Sequence, residues 1–343
     1  MYYVNQYVAR QRELNVITVE YDDIKAVFLD IGASIIDIQT KDYNEVMESV
    51  VVKYDNLRSY FKNRMYLNTT VGPTSGRIKN GRFVLNNQEI QLDLNDGSNH
   101  LHGGKEGFSY RRFRYEVIEE ENETKVIFRY TQKEALSLYP GTKEIKVVYT
   151  VKNTEILVEY FGKSDQDTLL NMTNHTYFNL SGNSKAKILD HTLYLNADKV
   201  MDLDDTYAPY TVKSVKKLSL DFRKEKVLSS VFSKKLKDSM TKGIDHPFIL
   251  EERDFDTLQA RLFDPASKRV LDVYTTYPCI VVYTHNFPTK SKIMYQKHEQ
   301  YYGICLETQY EPNGINIDGL HDSVLLKGDQ YYEKTLFRFG VKE

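Results

Sequence analysis

Asn174-His175-Thr176-Tyr177-Phe178-Asn179-Leu180 follows the apolar pair Leu169-Leu170 and runs into the turn signal Ser181-Gly182-Asn183. Read as a strand, side chains alternate between two faces, so His175, Tyr177 and Asn179 share one side and Thr176, Phe178 and Leu180 the other. An imidazole, a phenol and an amide in a row, backed by an apolar face, suit the wall of a cleft for a hydroxyl-rich ligand. A histidine satisfied by a nearby backbone group is the competing explanation for His175. The stretch acquires meaning only through its partners.

Outward from it, strand signals recur along nearly the whole chain. Ile17-Thr18-Val19-Glu20-Tyr21 alternates, Asp22-Asp23 turns, and Lys25-Ala26-Val27-Phe28-Leu29 follows before Gly32. Residues 82–85 and 89–94 pair as a hairpin across Asn86-Asn87. Longer runs at 125–130, 143–151 and 155–160 are separated by Pro140-Gly141 and Asn153-Thr154, and further strands fall at 192–195, 258–263, 270–274, 280–283 and 332–340. Residues 202–217 read as a polar loop or weak strand. Asp55 is placed to cap a short helix through Tyr60, and 229–237 is the best internal helix candidate. With 27 Tyr, 16 Phe and many β-branched residues, the composition favours strands. Most of the tyrosines read as ordinary β-surface residues. No repeat or linker interrupts the pattern, so the expected fold is all-β: one large antiparallel β-sandwich over 1–343 with few short helices.

The bulk numbers exclude several functions. The chain has 343 residues, 41% hydrophobic, with a formal net charge of -2 and no polybasic tract, which offers nothing electrostatic to nucleic acid or to an anionic membrane. No signal-peptide pattern or apolar run of spanning length is present. The two cysteines, Cys279 and Cys305, lie far apart in apolar strands and form neither a disulfide framework nor a metal pair. The expected compartment is the cytoplasm. The sequence is silent on oligomeric state.

Several chemistries can be weighed. His100 and His102 at i, i+2 could offer two imidazoles to zinc, but no HExxH, HxxxH or CxxC accompanies them, so no metal is expected. There is no GxSxG elbow, and the Gly-rich loop at 71–81 lacks the Lys-Ser/Thr of a phosphate loop. Acid/base catalysis fares better. Glu307 ends the apolar run Gly303-Ile304-Cys305-Leu306, which pushes it toward a sheet edge or cleft. Arg77, His102, His175, Asp245 and Glu307 each lie in a polar or Gly-rich turn beside a strand. A carboxylate base and an imidazole acid each contribute on the order of 10²–10⁴-fold when well placed.

Taken together, Gly76-Arg77-Ile78-Lys79-Asn80-Gly81-Arg82-Phe83, Asn99-His100-Leu101-His102-Gly103-Gly104, Tyr139-Pro140-Gly141, Thr173 to Leu180, Gly243-Ile244-Asp245-His246 and Gly303-Ile304-Cys305-Leu306-Glu307-Thr308-Gln309 resemble the motifs of the galactose mutarotases, the aldose 1-epimerases, in the family's order. The resemblance implies a β-sandwich with an open cleft that interconverts the α and β anomers of free hexoses such as galactose or glucose. It casts Glu307 as general base, His175 as general acid, and Arg77, His102, Tyr177 and Asp245 as sugar-binding residues, without cofactor. It also implies that the pair starts as carboxylate and imidazolium. Alternatives are a relative acting on another or a phosphorylated sugar, and a carbohydrate-binding homologue without turnover. The chain departs from the family's pattern at Gly76 (usually Asn), Pro73 (Arg), Val281 (Gln) and His285 (a small residue), which bears on the choice of sugar.

Overall fold

The strands of the computed structural model form three large antiparallel sheets; the structure describes all residues except 10–11, 233–235, 237–238, 291, 295–298 and 343. The first sheet is a five-stranded meander, Tyr2–Ala9, Arg12–Glu20, Ile24–Leu29, Ser34–Lys41 and Met47–Ser49. The second has nine strands in the order Arg114–Glu119, Thr124–Gln132, Lys143–Lys152, Glu155–Ser164, Tyr331–Val341, Arg269–Thr275, Ala260–Phe263, Thr192–Leu195 and Lys226–Val227. The third has six: Tyr177–Phe178, Ile304–Gln309, Cys279–Tyr283, Asp245–Leu250, Ala197–Leu203 and Pro209–Ser214. The expected antiparallel β-sandwich is what forms.

Burial follows the period of the strands. Glu155–Ser164 alternates between buried and partly exposed positions along its length, as a sheet covered on one side requires. Lys143–Lys152 alternates at first and is then buried on both faces, where the first sheet covers it and Tyr149 donates its hydroxyl to the Ala33 carbonyl at 2.6 Å. One apolar core joins Ile17 and Phe28 of the first sheet, Val147, Val158 and Leu271 of the second, and Phe248, Ile280 and Leu306 of the third. Burying each such side chain contributes about 1.5–3 kcal/mol.

Several local expectations shift. The hairpin forms with Asn86 and Asn87 both at positive φ, the conformation a two-residue turn demands. The helix near Asp55 is a 3-10 turn, Leu57–Phe61, capped by the Asn56 side chain rather than by Asp55. Of 229–237, the chain makes a 3-10 turn at Leu228–Ser230, and residues 233–235 and 237 lie outside the described residues. The 202–217 segment holds the end of one strand, Ala197–Leu203, and the whole of its partner, Pro209–Ser214. Tyrosine is a core residue here as well as a surface one. Tyr60, Tyr139, Tyr149, Tyr160 and Tyr277 are fully buried, and Tyr277, like Tyr149, sends its hydroxyl to a main-chain carbonyl, that of Met172 at 2.6 Å.

The strand expected at 174–180 is broken in two. Thr173–Asn174 pairs with Thr70–Val71, whereas Tyr177–Phe178 pairs with Ile304–Gln309, and His175-Thr176 crosses between them. The main chain on either side of the break finds partners. His175 N–H donates to Thr69 O, the His175 carbonyl accepts from Asn68 N–H, both at 2.9 Å, and Tyr177 N–H donates to the Asn68 side chain at 3.1 Å.

Candidate active site

A cleft of about 200 Å³ opens over the third sheet. Alternation along Ile304–Gln309 decides what faces it. Ile304 and Leu306 enter the core, while Glu307 and Gln309 line the cleft and Cys305 lies under His175. Glu307 is therefore not at a strand end: it is mid-strand, opposite Val281, and 2% exposed. Val281 and Tyr283 of the next strand and Asp245 and Pro247 of the one after continue the floor. Asp245 likewise starts a strand rather than sitting in a turn.

The cleft brings together all six expected residues: Arg77, His102, His175, Tyr177, Asp245 and Glu307. His175 Nε2 lies 3.4 Å from Glu307 Oε1. The His175 ring stacks on Tyr177 at 5.1 Å, and its Nδ1 meets Cys305 Sγ at 3.4 Å. Tyr177 donates its hydroxyl to the Met65 carbonyl at 2.8 Å, so it offers the cleft a ring rather than a free hydroxyl. Asn179, expected on the same face, instead donates to the carbonyls of Ala186 and Tyr302 outside the cleft.

His100 and His102 diverge because His102 adopts φ +54, which breaks the alternation. His100 bonds the Asp93 carbonyl and the Tyr139 hydroxyl, each at 2.8 Å, away from the cleft. His102 is held by Gly76 at two points: His102 N–H donates to Gly76 O at 3.1 Å, and Gly76 N–H donates to His102 Nδ1 at 3.2 Å. A neutral His102 with Nδ1 accepting must carry its proton on Nε2, and so presents a donor to a ligand oxygen. A Cβ on Gly76, at φ +72, would lie 2.3 Å from Pro312 Cβ. The glycine that departs from the family's asparagine thus leaves no room for a side chain.

Arg77 is fixed on three sides. Its Nε donates to Asp96 Oδ2 at 2.7 Å, a terminal nitrogen lies 3.8 Å from Asp245 Oδ2, and the guanidinium covers the Tyr207 ring at 5.2 Å. Of the other departures, Val281 lines the cleft, whereas Pro73 and His285 do not. His285 is fully buried, with both ring nitrogens unpartnered and its ring edge-on to Tyr177 at 5.5 Å.

Burial sets the protonation of the pair. It drives Glu307 well above the usual carboxylate range, reinforced by the negative Asp245 and opposed by Arg77. It drives His175 down to about 4. His102 is also pushed well below its ordinary value, by burial and then by His175 and Arg77. Burial thus favours the shared proton on Glu307 over His175, the reverse of what the resemblance implies. The neutral pair and the carboxylate–imidazolium pair contain the same number of protons and differ only in where one of them sits.

Unsatisfied polar atoms mark what the cleft is built to meet. Glu307 Oε2 and both amide atoms of Gln309 are buried without a partner. An acceptor beside an amide that both donates and accepts matches a ligand rich in hydroxyls, which do both. Gln309 is a residue the sequence reading passed over as a site residue, although its place two positions after Glu307 on one strand was the available signal. Tyr66 and Arg64, also on the cleft wall, carry no such signal. A ligand atom from each of His102, His175 and Glu307 lies within 4.8 Å of the others, and among the described residues these three could hold a divalent ion.

The sequence matches the family described as aldose 1-epimerase over residues 15–338. The chain belongs to that family. It is 33% identical to galactose mutarotase of Bos taurus over 326 residues, covering 93% of this chain and 92% of that one. It is also 33% identical to aldose 1-epimerase of Haemophilus influenzae, covering 92% of each. Among solved structures, galactose 1-epimerase from Lactobacillus acidophilus superposes with a TM-score of 0.87 at 26% identity, covering 100% of this chain and 99% of that one. This aldose 1-epimerase is thus an isomerase with the galactose mutarotase fold. No helix among its described residues is long and apolar enough to cross a membrane.

Proposed function

We propose that this epimerase acts on free hexoses of the galactose and glucose type, with Glu307 as base at O1 and His175 as acid at O5. The observation that carries the assignment is the 3.4 Å contact between His175 Nε2 and Glu307 Oε1 at the floor of the cleft. Sugar hydroxyls and the Arg77 guanidinium favour transfer of the shared proton from Glu307 to His175, which creates the carboxylate and imidazolium. Glu307 then takes the O1 proton, the C1–O1 bond becomes a carbonyl, the C1–O5 bond breaks, and O5 takes the proton of His175. Rotation about C1–C2 turns the other carbonyl face to O5, and the same two groups acting in reverse close the ring. Atoms and protons balance without metal or cofactor.

The remaining cleft residues hold the sugar. His102 donates from Nε2, Arg77 and Asp245 bind hydroxyls, and the Tyr177 ring backs His175. Gln309 joins this set through its unpartnered amide. The names of the relatives support galactose as a substrate. We also read 1–343 as one domain, because a single core cluster draws on all three sheets, and place the protein in the cytoplasm, where its two buried thiols would stay reduced.

The test is polarimetry of freshly dissolved α-galactose and α-glucose with wild type and Glu307→Gln. Wild type accelerates the change in rotation, and the variant loses at least ~10²-fold. A wild-type protein that accelerates no free aldose overturns the reading.

A further inference from the structure

The cleft does not end at the sugar-sized space over Glu307. At Arg64 and Thr289, which line both, it continues into a second groove of about 610 Å³. Arg58, Lys62, Arg64, Lys290 and Lys292 converge on that groove, with Asp55 as its single acid. Cations elsewhere on this surface are commonly paired, as in Lys41 with Asp23, Lys163 with Glu144 and Arg338 with Glu155. Among the described residues none of the five in the groove is in an ion pair. Five cations gathered with one acid among them repel one another, and a bound anion would relieve that repulsion.

Which part of a sugar would reach the groove follows from the proposed chemistry, on which this step rests. In a pyranose, C6 hangs on C5, the carbon bonded to O5. A sugar whose O1 faces Glu307 and whose O5 faces His175 therefore directs C6 to the His175 side. That side carries Tyr66, whose ring stacks over His175 at 6.2 Å, then Met65, tied to Tyr177 through its carbonyl, and then Arg64. The chain thus runs from the acid to the basic groove in a few residues. O1 must stay unsubstituted for the ring to open, so an anion can be carried only at a position remote from C1.

We propose that this groove binds an anionic group on C6, and that the enzyme accepts aldose 6-phosphates in addition to free aldoses. A phosphate dianion extends beyond C6 toward the groove, whereas the carboxylate of a uronic acid ends at C6, where Arg64 is the one of the five cations that also lines the sugar cleft. Charge-assisted contacts of this kind raise affinity without touching the reacting atoms, so the gain falls on KM rather than on kcat.

The experiment is magnetisation exchange between anomeric signals at equilibrium, above the uncatalysed rate, for galactose, galactose 6-phosphate and galacturonate. It is run with wild type and with Lys62→Ala/Lys290→Ala, two exposed positions outside the sugar-sized cleft, at low and high salt. The expected result is a KM for the 6-phosphate below that for galactose. The double variant raises the 6-phosphate KM by about tenfold, leaves kcat and the galactose constants within twofold, and abolishes most of the salt dependence. A low KM for galacturonate that is insensitive to the double variant assigns the recognition to Arg64 alone and overturns the phosphate claim. Turnover of galactose with no preference for the 6-phosphate, or an equal loss on both sugars in the variant, overturns it as well. Failure on every sugar, by contrast, strikes the anomerisation reading itself.

Discussion

His175 Nε2 and Glu307 Oε1 face each other across 3.4 Å, both side chains nearly sealed from solvent, one anchored between two short ladders and the other in the middle of a strand. Removing the carboxylate while keeping its shape isolates its chemistry. Glu307→Gln should lower kcat by at least ~10²-fold with KM little changed. Its thermal midpoint at pH 7 should stay level or rise. A buried acid whose pKa is raised on folding contributes stability that is lost as pH rises, because the unfolded chain ionises first. Glutamine removes that penalty, so a loss of activity together with a fall in midpoint would speak for damage instead of chemistry.

The shared proton predicts an unusual pH profile. With His175 near 4 and Glu307 raised, the pair holds one proton between about 4 and the raised value of Glu307. Below about 4 it gains a second and has no base. Above the raised value of Glu307 it loses the last and has no acid. The profile of kcat/KM should therefore have its acid limb near 4, set by His175, and an alkaline limb set by the raised Glu307. A histidine at its ordinary value of about 6.5 would instead make activity fall as pH rises above that value.

Gly76 and Pro312 should behave as a coupled pair. Gly76→Ala places a Cβ against the proline ring at a positive φ and disturbs both hydrogen bonds to His102. A loss of roughly 1–3 kcal/mol in stability and a raised KM are expected. Adding Pro312→Gly should recover part of both, and a double-mutant cycle by chemical denaturation and steady-state kinetics measures the coupling.

Gln309 should trade binding against stability. Its buried amide has no partner among the protein's own groups, which costs on the order of 1–3 kcal/mol. Gln309→Met is expected to stabilise the protein by about 1 kcal/mol while raising KM for free hexose by about tenfold. Denaturation midpoints alongside Michaelis curves give both numbers.

His285 reports on acid stability. Burial holds it at about 4 against about 6.5 in an unfolded chain, so its share of stability is present above 6.5 and is lost as pH falls toward 4. His285→Asn tolerates the positive φ. Between pH 7 and 4.5 the wild type should lose about 2–3 kcal/mol more than the variant in denaturant unfolding.

Much of the architecture was readable because strand runs such as Glu155–Ser164 carry their period in the sequence. The site was readable through joint motifs that place Glu307, His175 and four binding residues in one family pattern. The break at His175-Thr176 was not, since its cause is pairing with Thr70–Val71 on one side and Ile304–Gln309 on the other, both distant in the chain. Nor was the proton's resting place, which depends on how deeply Glu307 is buried and on Asp245 and Arg77 beside it. Glu307 looked like a strand end because Glu307-Thr308-Gln309 is polar. The ladder to Cys279–Tyr283 continues through all three, since polar side chains can face a cleft as readily as solvent.

The cleft draws its lining from segments within 64–66, 76–77, 101–102, 175–177, 203–209, 245–247, 281–289 and 307–312. They lie far apart in the sequence and meet only when Asp245–Leu250, Cys279–Tyr283 and Ile304–Gln309 have paired in the third sheet and Arg77 has paired with Leu101. Turnover is therefore a gauge of completed assembly: in a refolding experiment it should return last, after ellipticity and tyrosine fluorescence. A cut anywhere between 175 and 307 would separate the acid from the base and leave neither piece able to open a sugar ring by itself.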